Sequence, residues 1–301
     1  MKKKLLLFIG LIAFFLIGYK IYDIVAQRIK ERKHREWVAS LTHSASPQVH
    51  ILKDTIEYQN QKRTIALYLP PGYEEDSIHY SVIYLLDGQA LFDQKILEGN
   101  EWQVDEVLDS LAQLGQEKAI VVGIYNADDR LQEYKPFRSP LLPDEKEVHG
   151  DKHAAWIVNK LKPWIDSKYR TQREAAHTVI GGASLGGLMA YYMLMEYPNV
   201  FGRAIVFSPS FWVNDIVFTL HEANNSLFSQ KIYFNAGQLE TPIMEGAEKM
   251  YEILLQHGMP AANMRFDIEP GEGHWHMTWR KGFKKVYPWI VKENQAKQGD
   301  L

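Results

Sequence analysis

Short apolar runs alternate with longer stretches of mixed polarity along most of the chain. A continuous apolar run is typical of a buried parallel strand, and apolar positions three and four residues apart predict a covering helix. Strands are predicted at 49–57, 64–69, 81–86, 119–124, 178–180, 204–207, 231–236 and 264–268. Helices are predicted at 102–114, 149–169, 185–195, 242–257 and 278–291. This alternation predicts an α/β protein with one doubly wound, mostly parallel sheet.

The first two predicted strands depart from the parallel arrangement. Gln59-Asn60-Gln61 stands between them, and so short a polar connection predicts a tight turn. Pro70-Pro71-Gly72-Tyr73 ends the second strand. We therefore expect an antiparallel hairpin at the N-terminal end of the sheet.

The N-terminal 26 residues have the pattern of a membrane segment. Three lysines at positions 2–4 precede a mainly apolar run over 5–25. A run of this length spans a bilayer. A cleaved signal peptide is the alternative, but the large residues Tyr19 and Tyr22 stand where a cleavage site needs small ones. We therefore predict an uncleaved signal-anchor helix, transmembrane, over 1–26.

The remaining chain divides by composition. We predict a polar linker stalk over 27–46, the catalytic domain over 47–293 and a C-terminal tail over 294–301. Basic residues flank the apolar run on both sides, so the positive-inside rule leaves its orientation open. We favour a single-pass protein of the inner or cell membrane with its catalytic domain exported to the periplasmic or extracellular side.

Composition and charge narrow the range of functions. The chain has 301 residues, 46% of them hydrophobic and 24% charged, with a net charge of −3. That charge favours no nucleic-acid partner. The absence of cysteine excludes disulfides, thiolate metal sites and a cysteine nucleophile. His274 and His276 could form a metal pair, but no cluster of further ligands accompanies them, so we expect no metal. No G-x-G-x-x-G or G-K-[ST] motif for binding a nucleotide is present. The oligomeric state is left open.

Gly182-Ala183-Ser184-Leu185-Gly186 is a G-x-S-x-G pentapeptide between a predicted strand and a predicted helix. Only small residues fit beside a serine on so sharp a turn, which lifts the hydroxyl above the sheet. A glycine-rich nucleotide-binding turn is the alternative. We predict that Ser184 is a nucleophile, provided that a histidine reaches it.

Polar residues follow several predicted strands, and the carboxyl ends of parallel strands share one edge of a sheet. Glu240 follows the 231–236 strand, and His274 follows the last strand. The chain order serine, acid, histidine is that of an α/β-hydrolase triad. We predict His274 as the general base and Glu240 as the acid that orients it. The rivals are His276 as base and Glu245 or Glu272 as acid.

An oxyanion hole needs main-chain N–H donors. Leu185 directly follows the predicted nucleophile, so its N–H is the first donor. The loop after the 81–86 strand is expected to supply the second donor, and Gln89 is the best-placed residue. We interpret Asp87-Gly88 as the pair that shapes this turn.

Four motifs occur in order between residues 49 and 290. They are Tyr84-Leu85-Leu86-Asp87-Gly88-Gln89, Gly182-Ala183-Ser184-Leu185-Gly186-Gly187, Ser208-Pro209-Ser210-Phe211-Trp212, and Gly273-His274 followed by Trp279-Arg280. Together they resemble the esterase-D or enterochelin-esterase-like α/β-hydrolases, a group with feruloyl esterases, siderophore esterases and mycolyltransferases. The resemblance implies an α/β-hydrolase fold without a lid domain or cofactor. It favours His274 over His276, because the family histidine precedes a tryptophan by five residues, and it supports Glu240 and Gln89.

Three aromatic residues near the predicted site, Tyr125, Phe211 and Trp212, are expected to line the substrate pocket. Core packing is the alternative for Phe211 and Trp212, since loop aromatics near a site often do both. We expect Arg130 and Glu133 to form a structural pair rather than a clamp on the substrate.

The residues and the resemblance predict a serine carboxylic-ester hydrolase that acts through a Ser-His-Glu triad and an acyl-enzyme intermediate. We expect a small-molecule ester as substrate, and siderophore lactones are one class that an anchored, exported esterase would meet. Two alternatives stay open: an acyltransferase of the mycolyltransferase type, and a catalytically idle binding module held at the membrane.

Overall fold

The computed structural model describes residues 2–292, with side chains from residue 16 onward. The chain forms two compact units that divide between His43 and Ser44. The first unit contains one helix, α1 (Lys2–Ser40). Its large apolar side chains from Leu16 to Val25 are exposed.

The predicted membrane anchor falls on α1. The side chains of residues 5–15, the first half of its apolar run, lie outside the described residues, as does the predicted tail at 294–301. Within the described part of the chain, no helix combines the length and apolarity needed to cross a membrane.

An eight-stranded sheet forms the centre of the second unit, with strand order β1-β2-β4-β3-β5-β6-β7-β8. The strands are β1 (Val49–Tyr58), β2 (Gln61–Tyr68), β3 (Ser81–Leu86), β4 (Ala119–Ile124), β5 (Thr178–Ala183), β6 (Arg203–Phe207), β7 (Lys231–Gly237) and β8 (Met264–Glu269). β2 runs antiparallel to β1 and to β4, and the other neighbouring strands are parallel. The predicted mostly parallel sheet with an N-terminal antiparallel hairpin is confirmed.

Helices follow the strands in the predicted alternation. They are α2 (Val104–Gln113), α3 (Arg130–Glu133), α4 (Gly150–Trp156), α5 (Lys162–Lys168), α6 (Leu185–Glu196), α7 (Thr241–Gln256) and α8 (His276–Ile290). A π-helical turn, Ile157–Leu161, joins α4 to α5, so the helix predicted at 149–169 is continuous but widened. Pro163 explains the widening, because its ring would clash with the carbonyl group of residue 159 in a regular α-helix.

Both faces of the central strands, β3 to β7, are buried. Along β3, Tyr84 and Leu86 contribute to one core, with α6, whereas Ile83 and Leu85 contribute to the other, with α8. Because side chains alternate along a strand, a strand covered on both faces is apolar at every position, which explains the continuous apolar runs. The strands β3 to β8 are parallel, so their carboxyl ends lie on the same side of the sheet, and the predicted site residues follow these ends.

Candidate active site

Ser184 lies at the turn from β5 into α6, with φ 60° and ψ −121°. This conformation is strained for a residue with a side chain, so the surrounding packing must maintain it. A Cβ atom at Gly182 would lie 2.5 Å from the Gly186 carbonyl oxygen, and one at Gly187 would lie 2.6 Å from the Phe207 carbonyl oxygen. The glycines are required because the backbone closes tightly around the serine.

The end of β6 fixes this turn. The Ser184 N–H donates to the Phe207 carbonyl oxygen at 2.9 Å, and the Ser184 carbonyl oxygen accepts from the Ser210 N–H at 3.1 Å. The Ser184 hydroxyl lies 3.3 Å from Ser210 Oγ. Ser184 and His274 line the same cavity.

His274 and Glu240 meet beyond the ends of β8 and β7. His274 Nδ1 lies 2.6 Å from Glu240 Oε2, and the Glu240 side chain is 4% exposed whereas that of His274 is 36% exposed. A carboxylate only accepts hydrogen bonds, so the proton lies on Nδ1 and the lone pair of the neutral ring lies on Nε2. In this tautomer the imidazole is a base.

The rival acids have other surroundings. Glu272 binds Lys281 and accepts a hydrogen bond from Trp275 Nε1 at 2.6 Å. These two hydrogen bonds, that of Lys281 first, lower the pKa of Glu272. Glu245 is exposed on α7. Within the described residues, Glu240 is the candidate acid that contacts the His274 ring.

The rival base His276 is the first residue of α8 and also lines the cavity. Burial, with a smaller contribution from Arg280, lowers the pKa of His276. His276 therefore shares the cavity with Ser184, but within the described residues its ring lacks the Glu240 partner that orients His274.

The predicted oxyanion donors lie on two turns. Gln89 is in the short 3₁₀ turn Gly88–Ala90 that follows β3, and Leu185 is the first residue of α6. Within the described residues, neither main-chain N–H donates to another group of the protein. A Cβ atom at Gly88 would lie 2.4 Å from the Gly123 carbonyl carbon, so this turn packs directly on β4.

Side chains clamp the same turn. The Asp87 carboxylate accepts two hydrogen bonds from the Arg130 guanidinium, at 2.6 and 2.7 Å. The Gln89 side chain is hydrogen-bonded to Asn126, at the end of β4. The expected pair of Arg130 with Glu133 is wrong, because the two residues bind different partners.

Glu133 is buried in a separate cluster. It lies 3.1 Å from Arg63 and 2.9 Å from His153, and its second carboxylate oxygen accepts from the Ala127 N–H at 3.0 Å. The His153 ring stacks between Tyr134 and Trp156. Through the hydrogen bond between Glu133 and the Ala127 N–H, this cluster holds the loop that follows β4.

A cavity of about 480 Å³ lies over the site. It is lined by Asp87, Gln89, Ala90, Leu97, Asn100, Trp102, Asn126, Arg130, Ala183, Ser184, His274, Trp275, His276 and Trp279. Its lining combines polar residues of the oxyanion turn with three tryptophans, Trp102, Trp275 and Trp279. In the described part of the chain, no three His, Asp or Glu side chains are grouped to hold a metal ion.

None of the three expected pocket residues, Tyr125, Phe211 and Trp212, lines this cavity. Phe211 is buried against the rings of Tyr191 and Phe234, at centroid distances of 5.3 and 6.5 Å. Tyr125 packs against the core on the other face of the sheet. Trp212 is 50% exposed outside the cavity. Phe211 faces the core because it packs against Tyr191 of α6 and Phe234 of β7. The hydrophobic periodicity of the sequence does not show which way this side chain points.

Sequence reasoning missed the aromatic wall. Trp279 was visible as part of a motif and Trp275 as the neighbour of His274, but neither was assigned to the pocket. Trp102 was predicted only as a helix residue; it lies just before α2 and contacts the Trp279 ring at a centroid distance of 5.6 Å. Only the tertiary fold brings these three positions together.

Comparison with known proteins identifies the family and the fold of this chain. A family model described as "Putative esterase" matches residues 56–292. A curated relative, ferri-bacillibactin esterase BesA of Bacillus subtilis (strain 168), is 27% identical over 241 residues, which cover 72% of this chain and 81% of that protein.

Two solved structures share the fold. The enterobactin esterase FES from Shigella flexneri, in the presence of enterobactin, has a TM-score of 0.65 and 20% identity, and the match covers 82% of this chain and 60% of that chain. An alanine mutant of the feruloyl esterase module from clostridium thermocellum, complexed with sinapinate, has a TM-score of 0.65 and 18% identity, covering 85% of this chain and 93% of that chain. At these identities the likeness concerns the fold.

Proposed function

The chain belongs to the Esterase family and is a carboxylic ester hydrolase, and we propose that Ser184, His274 and Glu240 form its catalytic triad. One observation carries the proposal: the buried Glu240 carboxylate binds His274 Nδ1 at 2.6 Å. Nε2 is thereby left as the basic nitrogen in the cavity that Ser184 also lines.

In the proposed acylation step, Ser184 Oγ attacks the carbonyl carbon of the ester while His274 Nε2 takes the hydroxyl proton. The carbonyl oxygen becomes an oxyanion, and the N–H groups of Leu185 and Gln89 donate to it. The bond to the alcohol oxygen then breaks, and the alcohol leaves with the proton from His274. The Glu240 carboxylate stabilises the imidazolium that exists between the two transfers.

In the proposed deacylation step, water attacks the acyl carbon of the Ser184 ester and gives a proton to His274. Collapse of the second tetrahedral intermediate releases the carboxylic acid and returns the proton to Ser184 Oγ. Water is favoured over an alcohol as acceptor because the His274 side chain is 36% exposed, so solvent reaches the acyl-enzyme. This exposure supports hydrolysis over acyl transfer.

We propose small esters with an aromatic ring as the substrates, siderophore lactones among them. The names of the relatives support this class, because they refer to ferri-bacillibactin, enterobactin and feruloyl esters. The cavity supports this substrate class independently, because Trp102, Trp275 and Trp279 line it and can pack against an aromatic ring.

We also propose that residues 5–25 hold the protein in the inner or cell membrane, with the second unit on the exported side. The support is the apolar run after three lysines. Such a position would bring the enzyme to esters outside the cytoplasm.

The test of the proposed mechanism is a substrate screen with the purified full-length chain. Short acyl esters, feruloyl esters and a siderophore lactone are assayed side by side, and the Ser184→Ala protein serves as the blank. We expect turnover of at least one class to disappear in Ser184→Ala, and a serine-directed phosphonate to label Ser184. Undiminished turnover by Ser184→Ala would exclude the triad.

A further inference from the structure

A closed ring of contacts lies behind the proposed triad. Trp279 Nε1 lies 3.0 Å from Ser208 Oγ, and Ser208 Oγ lies 2.6 Å from Glu240 Oε1. The other carboxylate oxygen binds His274 Nδ1 at 2.6 Å. The His274 ring then meets the Trp279 ring edge to face, with centroids 5.5 Å apart and an interplanar angle of 87°. Four side chains thus hold one another.

The direction of each hydrogen bond in the ring is fixed by chemistry. An indole N–H only donates and a carboxylate only accepts, so the Ser208 hydroxyl accepts from Trp279 and donates to Glu240. Glu240 Oε1 also accepts from the Gly237 N–H. With Oε1 held by these two donors, the carboxylate has a single orientation, in which Oε2 faces His274.

Because Ser208 and Glu240 are buried, water cannot replace these hydrogen bonds when one of them is lost. Ser208 is fully buried, and 4% of the Glu240 side chain is exposed. A buried carboxylate that loses a donor is not compensated by solvent, so it rotates or weakens its other contacts. The orientation of His274 therefore depends on Ser208 as well as on Glu240.

The backbone of Ser208 is a second, independent observation. Its φ is 40°, in the left-handed region that favours glycine, directly after β6 ends. Its N–H donates to the Asn235 carbonyl oxygen at 2.7 Å. Glycine would adopt this conformation without strain, whereas a serine at this position destabilises the local backbone. Strain of this kind is tolerated where the side chain has a role.

We propose that Ser208 and Trp279 are positioning residues for the esterase reaction: together they fix the Glu240 carboxylate against His274, and the Trp279 ring packs against the imidazole. The inference rests on the proposed function of the triad. Ser208 does not line the cavity. Its hydroxyl therefore acts through Glu240, and its loss affects turnover rather than substrate binding.

The experiment compares Ser208→Gly with the wild-type full-length chain. Glycine removes the hydroxyl and relaxes the backbone, so the variant folds; Ser208→Ala is the companion variant. We expect kcat to fall about 10- to 100-fold, the usual consequence of losing a hydrogen bond to a charged group, with KM unchanged. Ser81→Ala is the matched control, because Ser81 is a buried serine in the same sheet that donates to Gln172 at 3.1 Å, far from the triad. It is expected to keep wild-type kcat.

A double-mutant cycle and a spectroscopic signature separate positioning from general structure. Trp279→Phe keeps an aromatic ring beside His274 but removes the donor to Ser208. If the two residues act through one chain of contacts, kcat of the double variant falls by less than the product of the single effects. The downfield proton resonance of the His274–Glu240 hydrogen bond should move in Ser208→Gly and stay in place in Ser81→Ala.

The outcomes distinguish this inference from the triad itself. The positioning role is overturned if Ser208→Gly keeps wild-type kcat while Ser184→Ala is inactive. It is also overturned if Ser208→Gly lowers the thermal midpoint but leaves the resonance of the His274–Glu240 hydrogen bond in place. Turnover retained in Ser184→Ala overturns the triad instead, whatever Ser208→Gly shows.

Discussion

At His274, a single contact determines which ring nitrogen is basic. Glu240 Oε2 takes the Nδ1 side at 2.6 Å, so the base is Nε2. His276 is two residues further along the chain, at the first position of α8, and lines the same cavity, yet its ring has no contact with Glu240 within the described residues. The two histidines are close in the sequence, and they differ in that Glu240 orients the ring of His274.

Replacing the two histidines should therefore give unequal losses. In His274→Ala, both proton transfers lose their base, and we expect kcat/KM to fall about 10²- to 10⁴-fold. In His276→Ala we expect a change below about tenfold, because the residue contributes only to the wall of the cavity. Steady-state kinetics on one ester substrate measures both, and the opposite ranking would assign the base to His276.

Aromatic recognition is predicted to depend on Trp275. Its indole is 50% exposed and lines the cavity, and its Nε1 is held by Glu272 at 2.6 Å. Trp275→Leu should raise KM for aryl esters about 2- to 10-fold relative to straight-chain esters, the range expected for one aromatic contact. Trp212→Leu is the matched control, since Trp212 is also 50% exposed but lies outside the cavity. An equal effect of both changes would contradict a ring-binding role for Trp275.

At the scale of elements, continuous apolar runs and strand-end polar residues were enough to predict the sheet and to bring Ser184, Glu240 and His274 to one edge. The chain between β6 and β7 was not predicted to form any element, and it folds into short 3₁₀ segments, Phe211–Val213, Asp215–Ala223 and Leu227–Ser229. Such short segments have no hydrophobic period of their own. The sequence therefore predicts Phe211 as a pocket residue, whereas tertiary packing decides which side of this loop faces the core.

The oxyanion turn offers a test at the same scale. A Cβ atom at Gly88 would lie 2.4 Å from the Gly123 carbonyl carbon, so Gly88→Ala must push the turn away from β4. The Gln89 N–H moves with it, and we expect kcat to fall about 10²- to 10³-fold, as for the loss of one oxyanion donor. Gly246→Ala in α7, where the nearest atom would be 3.9 Å away, should keep wild-type kcat. Equal kcat values for the two variants would mean that Gln89 is not a donor.

At the scale of the whole molecule, the chain forms two compact units, and we expect them to have different tasks. The proposed catalytic residues and the family match at 56–292 all fall in the second unit. The first unit contributes one 39-residue helix whose apolar side chains from Leu16 to Val25 are exposed. In our proposal that residues 5–25 hold the protein in a membrane, this exposed apolar surface is what would contact the lipid.

Localisation can be separated from catalysis by deletion and by washing. We expect full-length protein to stay with membranes after a high-salt or carbonate wash, because salt screens surface attraction but does not extract a spanning helix. Deletion of residues 1–25 should yield a protein that stays in solution and keeps wild-type kcat. Replacing Arg28, Lys30, Arg32, Lys33 and Arg35 by Gln is the control, since it removes the basic stalk and leaves the apolar run intact; this variant should remain with the membranes after the wash. A mature N-terminus near Ala26, found in a soluble exported fraction, would show instead that the segment is a cleaved signal.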